Sequence, residues 1–297
     1  MPGTQSLMTT RRGEFRRLYR ELARKPAVFA STPIIFCEGD SWFSTPLSMN
    51  LLDWLVFPTP KDEEKGVPLF GAGGLFFRTE DSGDLAVDIF SQARVRDLVR
   101  WYKGFEFDLV LLSAGGNDFV DKFLKRTFEG AAPMSVQAAF QRVVLSGRYE
   151  EVLNAYVALI EAFRKAKPEV PILAHTYDYP HELGRGGNLS LANVGAVALL
   201  KRGVGPWIGN RISHVLPKLE DQRQFARLLI DGFVERVLIP LRDDANTGEV
   251  FDFVDLRNTL NSGTQWFDEM HPTGTGFNLL AGRFRRGMRA KLDMKLG

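Results

Sequence analysis

Of the 297 residues, 44% are hydrophobic, 25% charged and 11% aromatic, which excludes collagen-like, coiled-coil and disordered chains. Thirty-eight Lys and Arg against 36 Asp and Glu leave a net charge of +2, too even a balance for nucleic acid to be the main partner. Cys37 is the only cysteine, so neither an internal disulfide nor a cysteine-rich zinc site can form. No run of about 18 apolar residues marks a spanning helix. The N-terminal stretch MPGTQSLMTTRRGEFRRLYRELARK has charges where a signal peptide needs its apolar core, so a cytoplasmic protein is expected.

In chain order, the basic stretch Arg11 to Lys25 carries Phe15, Leu18 and Leu22 at helical spacing. It reads as a helix docked by that stripe, or as a membrane-surface contact feeding a lipid substrate. Residues 1–30 are taken as a basic helical extension and 31–297 as one domain. Five apolar runs read as strands: Pro33 to Cys37, Leu75 to Thr79, Phe107 to Leu112, Val170 to Ala174 and Val250 to Leu256. The first, third and fourth are nearly continuous, as strands covered on both faces should be. Between the strands, helical periodicity appears at Leu47, Leu51, Leu52 and Leu55, and over Asp84 to Tyr102, Tyr149 to Ala166 and Leu216 to Leu241. Gly66 to Gly74, Gly184 to Asn188 and Gly203 to Gly209 read as loops. Strands alternating with helices imply βαβ units with right-handed crossovers and a mostly parallel sheet.

Three blocks carry chemistry. Gly39-Asp40-Ser41 ends the first strand just ahead of a helix, where ligands of open α/β sheets bind. Gly39 allows a tight turn, and Ser41 is either an exposed nucleophile or a helix N-cap, with Asp40 a second capping candidate. A Gly-Asp-Ser triplet arises by chance in about one chain in a dozen of this length, so alone it decides little. Near the C-terminus, Asp268-Glu269-Met270-His271 offers an imidazole to take the serine proton and a carboxylate to hold it, on one side of a helical turn. Of the other histidines, His175 and His214 lack an Asp at that offset; His175 reads as an internally bonded strand residue and His214 as a surface one. Gly115-Gly116-Asn117-Asp118 ends the third strand: the Asn117 amide can stabilise an oxyanion, or Asn117 or Asp118 caps the next helix. Gly83, in the turn after the second strand, could give a further N–H. In a flavodoxin-like order the first and third strands are neighbours at the switch point, which brings Ser41 and Asn117 to one rim.

These blocks resemble those of the SGNH hydrolases, the GDSL esterase and lipase family. Gly39-Asp40-Ser41 is similar to the nucleophile block, Gly115 to Asp118 to the asparagine block and Asp268 to His271 to the last block; Gly83 is the candidate for the glycine block, with Gly73 and Gly74 as competitors. The resemblance implies a three-layer α/β/α sandwich around a five-stranded parallel sheet. It also implies Ser41 as nucleophile, His271 as base, Asp268 as its orienter, and Ser41 N–H, Gly83 N–H and the Asn117 amide as oxyanion hole. The implied activity is carboxylic ester hydrolysis without a cofactor or metal, on a small-molecule or lipid ester. Trp42 stands where the family name has leucine, and the spacing from Asn117 to Asp268 places insertions near 119–149 and 179–215.

Other readings compete. An acyltransferase would use the same site. A metal-dependent phosphoesterase needs Asp-x-His and Gly-Asn-His blocks, which are missing here, and an α/β-hydrolase needs a Gly-x-Ser-x-Gly pentapeptide, also missing. A non-catalytic ester-binding protein need not keep all the proton-transfer residues. Phe119, Phe123, Phe128 and Trp207 are either insertion core or the lining of an acyl pocket. Tyr177-Asp178-Tyr179, ending the fourth strand, either borders the site or is a set of hydrogen-bonded rim residues, and Asp178 with His181 gives only two ligands toward a metal site. Cys37 reads as a core residue.

Overall fold

The computed structural model describes residues 8–10, 12–45, 48–56, 74–80, 85–184 and 205–296. Six strands form one sheet: β1 (Met8–Thr10), β2 (Ile34–Gly39), β3 (Leu75–Arg78), β4 (Leu109–Ser113), β5 (Ile172–His175) and β6 (Phe251–Val254). Their order is β1-β3-β2-β4-β5-β6 and every pair is parallel. The five expected strands thus form, in flavodoxin-like order, the expected three-layer α/β/α sandwich. A short sixth strand, β1, joins at the edge, where Met8 pairs with Leu75 and Thr10 with Phe77. β2 and β4 are fully buried along their length, which accounts for their unbroken apolar runs.

On one face, helix Gln92–Lys103 packs against helix Arg148–Ala166; on the other, the C-terminal helix Gly274–Leu296 packs against helix Leu51–Val56. Aromatic rings fill the first interface. Phe36 of β2 meets Phe163 edge-on with centroids 5.5 Å apart, and Tyr102 stacks on Phe163 at 4.3 Å. Phe15 of helix Arg12–Ala23 is fully buried against Phe77 and Phe107, with Leu18 and Leu22 packed on the same core. The core therefore covers the apolar stripe of the basic N-terminal helix. Among the described residues no helix is long and apolar enough to cross a membrane.

Several elements depart from their expected bounds. Of the span expected as one helix, Asp84 to Tyr102, the described residues form two, Ala86–Ile89 and Gln92–Lys103, separated at Phe90 and Ser91. The helix expected from Leu216 begins at Leu219 and passes through a π-type turn, Val234–Leu238, before ending at Asp243. The segment expected as an insertion at 119–149 contains helices Lys122–Phe128 and Val136–Leu145. Leu47 and most of the loops Gly66 to Gly74 and Gly184 to Asn188 lie outside the described residues.

Candidate functional site

β2 and β4 lie side by side, with Gly39 opposite Ser113. Gly39 has no positive φ; it is needed for close approach, because a Cβ there would stand 2.5 Å from the Ser113 carbonyl oxygen. Asp40 follows in extended conformation and caps helix Ser41–Ser44, its Oδ1 accepting the Trp42 N–H at 3.0 Å. The capping role that Ser41 might have had thus belongs to Asp40, and the Ser41 hydroxyl is engaged elsewhere. Ser41 Oγ lies 2.8 Å from His271 Nε2, and His271 Nδ1 lies 3.0 and 3.1 Å from the two Asp268 oxygens. Asp268 is fully buried, while Ser41 and His271 are 5% and 6% exposed, so this series of hydrogen bonds is nearly shielded from water.

The Asp268–His271 block is a bulged loop rather than the helical turn expected from its spacing. A bridge between Trp266 and Pro272 closes it, and the Asp268 Oδ1 accepts the N–H groups of Met270 and His271, each at 2.7 Å. Trp42, the departure from leucine, locks this loop to the serine block. Its indole Nε1–H donates to the Met270 carbonyl at 3.0 Å, and its ring stacks on His175 with centroids 5.5 Å apart. Burial pushes the His175 imidazole down to about 4, which keeps it neutral, and its Nδ1 meets the Thr176 carbonyl oxygen at 2.9 Å. His175 is thus a core residue bonded internally, as expected, and His214 is an exposed one bonded to the Phe128 carbonyl.

Asn117 opens a short turn, Asn117–Phe119, just past β4 and is half-buried. A Cβ at Gly116 would meet the Tyr177 ring at 2.8 Å, and Gly115 takes a φ of +114° over Phe233, so two glycines are required to bring this turn down onto the site. Asp118 does not cap the turn it belongs to. Its carboxylate crosses to the start of helix Ala86–Ile89, accepting the Ala86 N–H at 2.6 Å, and burial raises it to about 7. Gly83 and its competitor Gly73 lie outside the described residues.

Several contacts around the site escape sequence reasoning. Tyr177 donates to Asp40 Oδ2 at 2.5 Å, and Ser113 donates to Asp40 Oδ1 at 2.8 Å. Burial raises the Asp40 carboxyl from its ordinary range while these donors oppose the shift. Glu269, buried between Asp268 and Met270, accepts N–H groups from Gly184 at 2.9 Å, Gly209 at 3.1 Å and Ile208. These bonds hold the segment carrying Trp207, whose ring meets the His271 ring edge-on at 5.5 Å. The Asp178 oxygens are taken by the N–H groups of Tyr179, Asn258, Thr259 and Leu260 at 2.7–3.0 Å, the arrangement of a loop anchor. Among the described residues no group of three or more His, Cys, Asp or Glu is gathered as a metal site.

Beside the site, Glu38 is buried and its carboxyl is pushed by desolvation to about 8, against the pull of Arg94 at 3.4 Å, the Thr79 hydroxyl and the Gly39 N–H. A folded value above the ordinary 4.5 means that its contribution to stability is present below that pH and is lost as pH rises through about 8. Glutamine keeps two of these contacts and gives up the long one to Arg94. Its oxygen takes the Gly39 N–H, and its amide donates to Thr79 Oγ1, whose own proton goes to the Cys37 carbonyl at 2.8 Å. Glu38→Gln is therefore expected to flatten the fall in stability between about pH 5 and 9, by on the order of a few kcal/mol at the alkaline end. Urea midpoints of both proteins across that range check it; parallel curves would refute it.

No family model matches the sequence, and no curated protein matches it. Solved structures do. A lipase, Lip_vut3, from a goat rumen metagenome is similar in fold, with a TM-score of 0.52 at 12% identity over 86% of this chain and 97% of the lipase. A Clostridium thermocellum family 3 carbohydrate esterase gives 0.49 at 14% identity, over 89% and 99%. An extracellular lipase from Streptomyces rimosus gives 0.46 at 15% identity, over 88% and 100%. The chain has the three-layer fold implied by its resemblance to the SGNH hydrolases.

Proposed function

We propose that the chain is a serine hydrolase of carboxylic esters that works through an acyl-enzyme on Ser41. The observation that carries the reading is the bonded series Ser41 Oγ–His271 Nε2–His271 Nδ1–Asp268, at 2.8 and 3.0 Å, in a site shielded from water. A serine hydroxyl needs a neighbouring base, and that base needs an orienting carboxylate; the three groups meet both needs. In this reading Ser41 Oγ attacks the ester carbonyl as its proton passes to His271. The oxyanion is held by the N–H of Ser41, the N–H of Gly83 and the amide of Asn117. His271 then protonates the departing alcohol and afterwards activates the water that cleaves the acyl-enzyme, restoring the Ser41 hydroxyl and releasing the acid. The goat-rumen protein of like fold is a lipase, which agrees with an ester substrate.

A fluorophosphonate probe tests the reading. It is expected to label the wild-type protein on the peptide containing Ser41 and to leave Ser41→Ala unlabelled. An unlabelled wild type, or equal labelling of the variant, would overturn it.

A further inference from the structure

An apolar pocket is walled in part by the immediate chain neighbours of three site residues: Trp42 beside Ser41, Gly116 beside Asn117, and Met270 beside His271. It runs inward to Phe119 and to Leu229, Ile230 and Phe233 on helix Leu219–Phe233. A second space, bordered by Trp207 and sharing Val120 with the first, has a different character. There Asn117, Asp121, Lys122 and Arg148 line a wide polar cleft of about 680 Å³. The apolar pocket has only about 60 Å³ of water-sized room. At about 10–15 Å³ for each water, that is room for roughly five waters, or a straight tail of about four to six carbons.

We infer that this pocket is the acyl site, and that the chain prefers esters of short linear acids of about four to six carbons. The inference rests on the proposed Ser41 chemistry and adds which part of the substrate goes where. An aromatic and aliphatic wall gives an alkyl tail a surface to bury, while it cannot satisfy the hydroxyl groups of a sugar or the charge of a phosphate. The polar cleft is then left to the alcohol. Of the aromatic residues considered for an acyl lining, only Phe119 serves. Phe123 and Trp207 border the polar cleft, and Phe128 is fully buried against Phe225.

Ile230, half-buried on the pocket wall, allows the volume to be changed in both directions without touching Ser41, His271 or Asp268. The experiment measures kcat/KM for p-nitrophenyl esters from acetate to dodecanoate with wild type, Ile230→Trp and Ile230→Ala. Wild type is expected to peak at about four to six carbons. Ile230→Trp should lower the hexanoate-to-acetate ratio at least about tenfold, and Ile230→Ala should move the peak about two carbons longer. An unchanged chain-length profile in the variants, with Ser41 still labelled by fluorophosphonate, would overturn the acyl site and leave the hydrolase standing. A response to Ile230 in a series of alkyl acetates instead would likewise overturn it, giving the pocket to the alcohol. Failure of the Ser41 labelling itself would remove both. Should Ile230→Trp not fold, the smaller Ile230→Ala still decides.

Discussion

Ser41→Ala is expected to lower kcat/KM on p-nitrophenyl butyrate by about a millionfold, leaving only the modest rate that binding and oxyanion donors supply on their own. The size of the effect follows from the division of labour at the end of β2. Asp40 caps helix Ser41–Ser44 and is tied to Ser113 and Tyr177, so the local backbone does not depend on the serine hydroxyl. Trp42 joins the serine block to the histidine loop through its own indole. Removing Oγ deletes one hydrogen bond, to His271, and one covalent partner for substrate. The variant is therefore expected to keep its circular dichroism spectrum and to lose no more than about 1 kcal/mol of stability. Steady-state kinetics beside a melting curve separate the two effects. Retention of more than about a hundredth of the activity by a folded variant would refute Ser41 as the nucleophile.

The same end of β2 shows what could be read in advance and what could not. Buried strands such as Ile34–Gly39 and Leu109–Ser113 announce themselves because both faces must be apolar. Strand Met8–Thr10 is three residues in a polar stretch and exists through its pairing with β3, so nothing local marks it. The C-terminal helix Gly274–Leu296 buries Phe277, Leu280, Ala281, Phe284, Met288 and Leu292 on one stripe. Its four glycines at 274, 276, 282 and 287 weaken the helical signal. Gly287 earns its place only in three dimensions, since a Cβ there would stand 2.4 Å from Val254.

In the site, Ser41, Asp268 and His271 meet as their blocks suggested. Whether Asp40 or Ser41 capped the helix could not be decided from residue type, because both are good caps. Tyr177 and Trp207 were singled out only as rim and acyl-pocket candidates and Glu269 not at all, and their actual contacts were illegible for a different reason. Tyr177 reaches Asp40 across 137 positions, and Glu269 holds Ile208 and Gly209 across 61 and 60. Local spacing carries no trace of such pairs; only the packing of β2, β4 and the loops around them creates them.

Asp268→Asn should be severe, though about a hundredfold milder than loss of the serine, with a fall of about 10⁴ in kcat from the change of a single heavy atom. Oδ1 of Asp268 already accepts two backbone N–H groups, from Met270 and His271, at 2.7 Å each. An asparagine must keep its one carbonyl oxygen there, because turning the amide around would set NH₂ against both donors. Its NH₂ group then faces His271 Nδ1 in place of Oδ2, which lies 3.0 Å away in the native protein. Oδ1, 3.1 Å from Nδ1, is already shared by those two N–H groups, so Nδ1 is expected to accept from the NH₂ and the neutral ring to carry its proton on Nε2 instead. Nε2 is the atom 2.8 Å from Ser41 Oγ, and once protonated it can no longer take the serine proton. Fold and substrate affinity should change little, so the loss is expected in kcat with KM nearly constant. Proton NMR of the imidazole would show the tautomer exchanged. Full activity in Asp268→Asn would mean that the carboxylate neither sets the tautomer nor stabilises the imidazolium, and the proton path drawn from Ser41 through His271 would have to be abandoned.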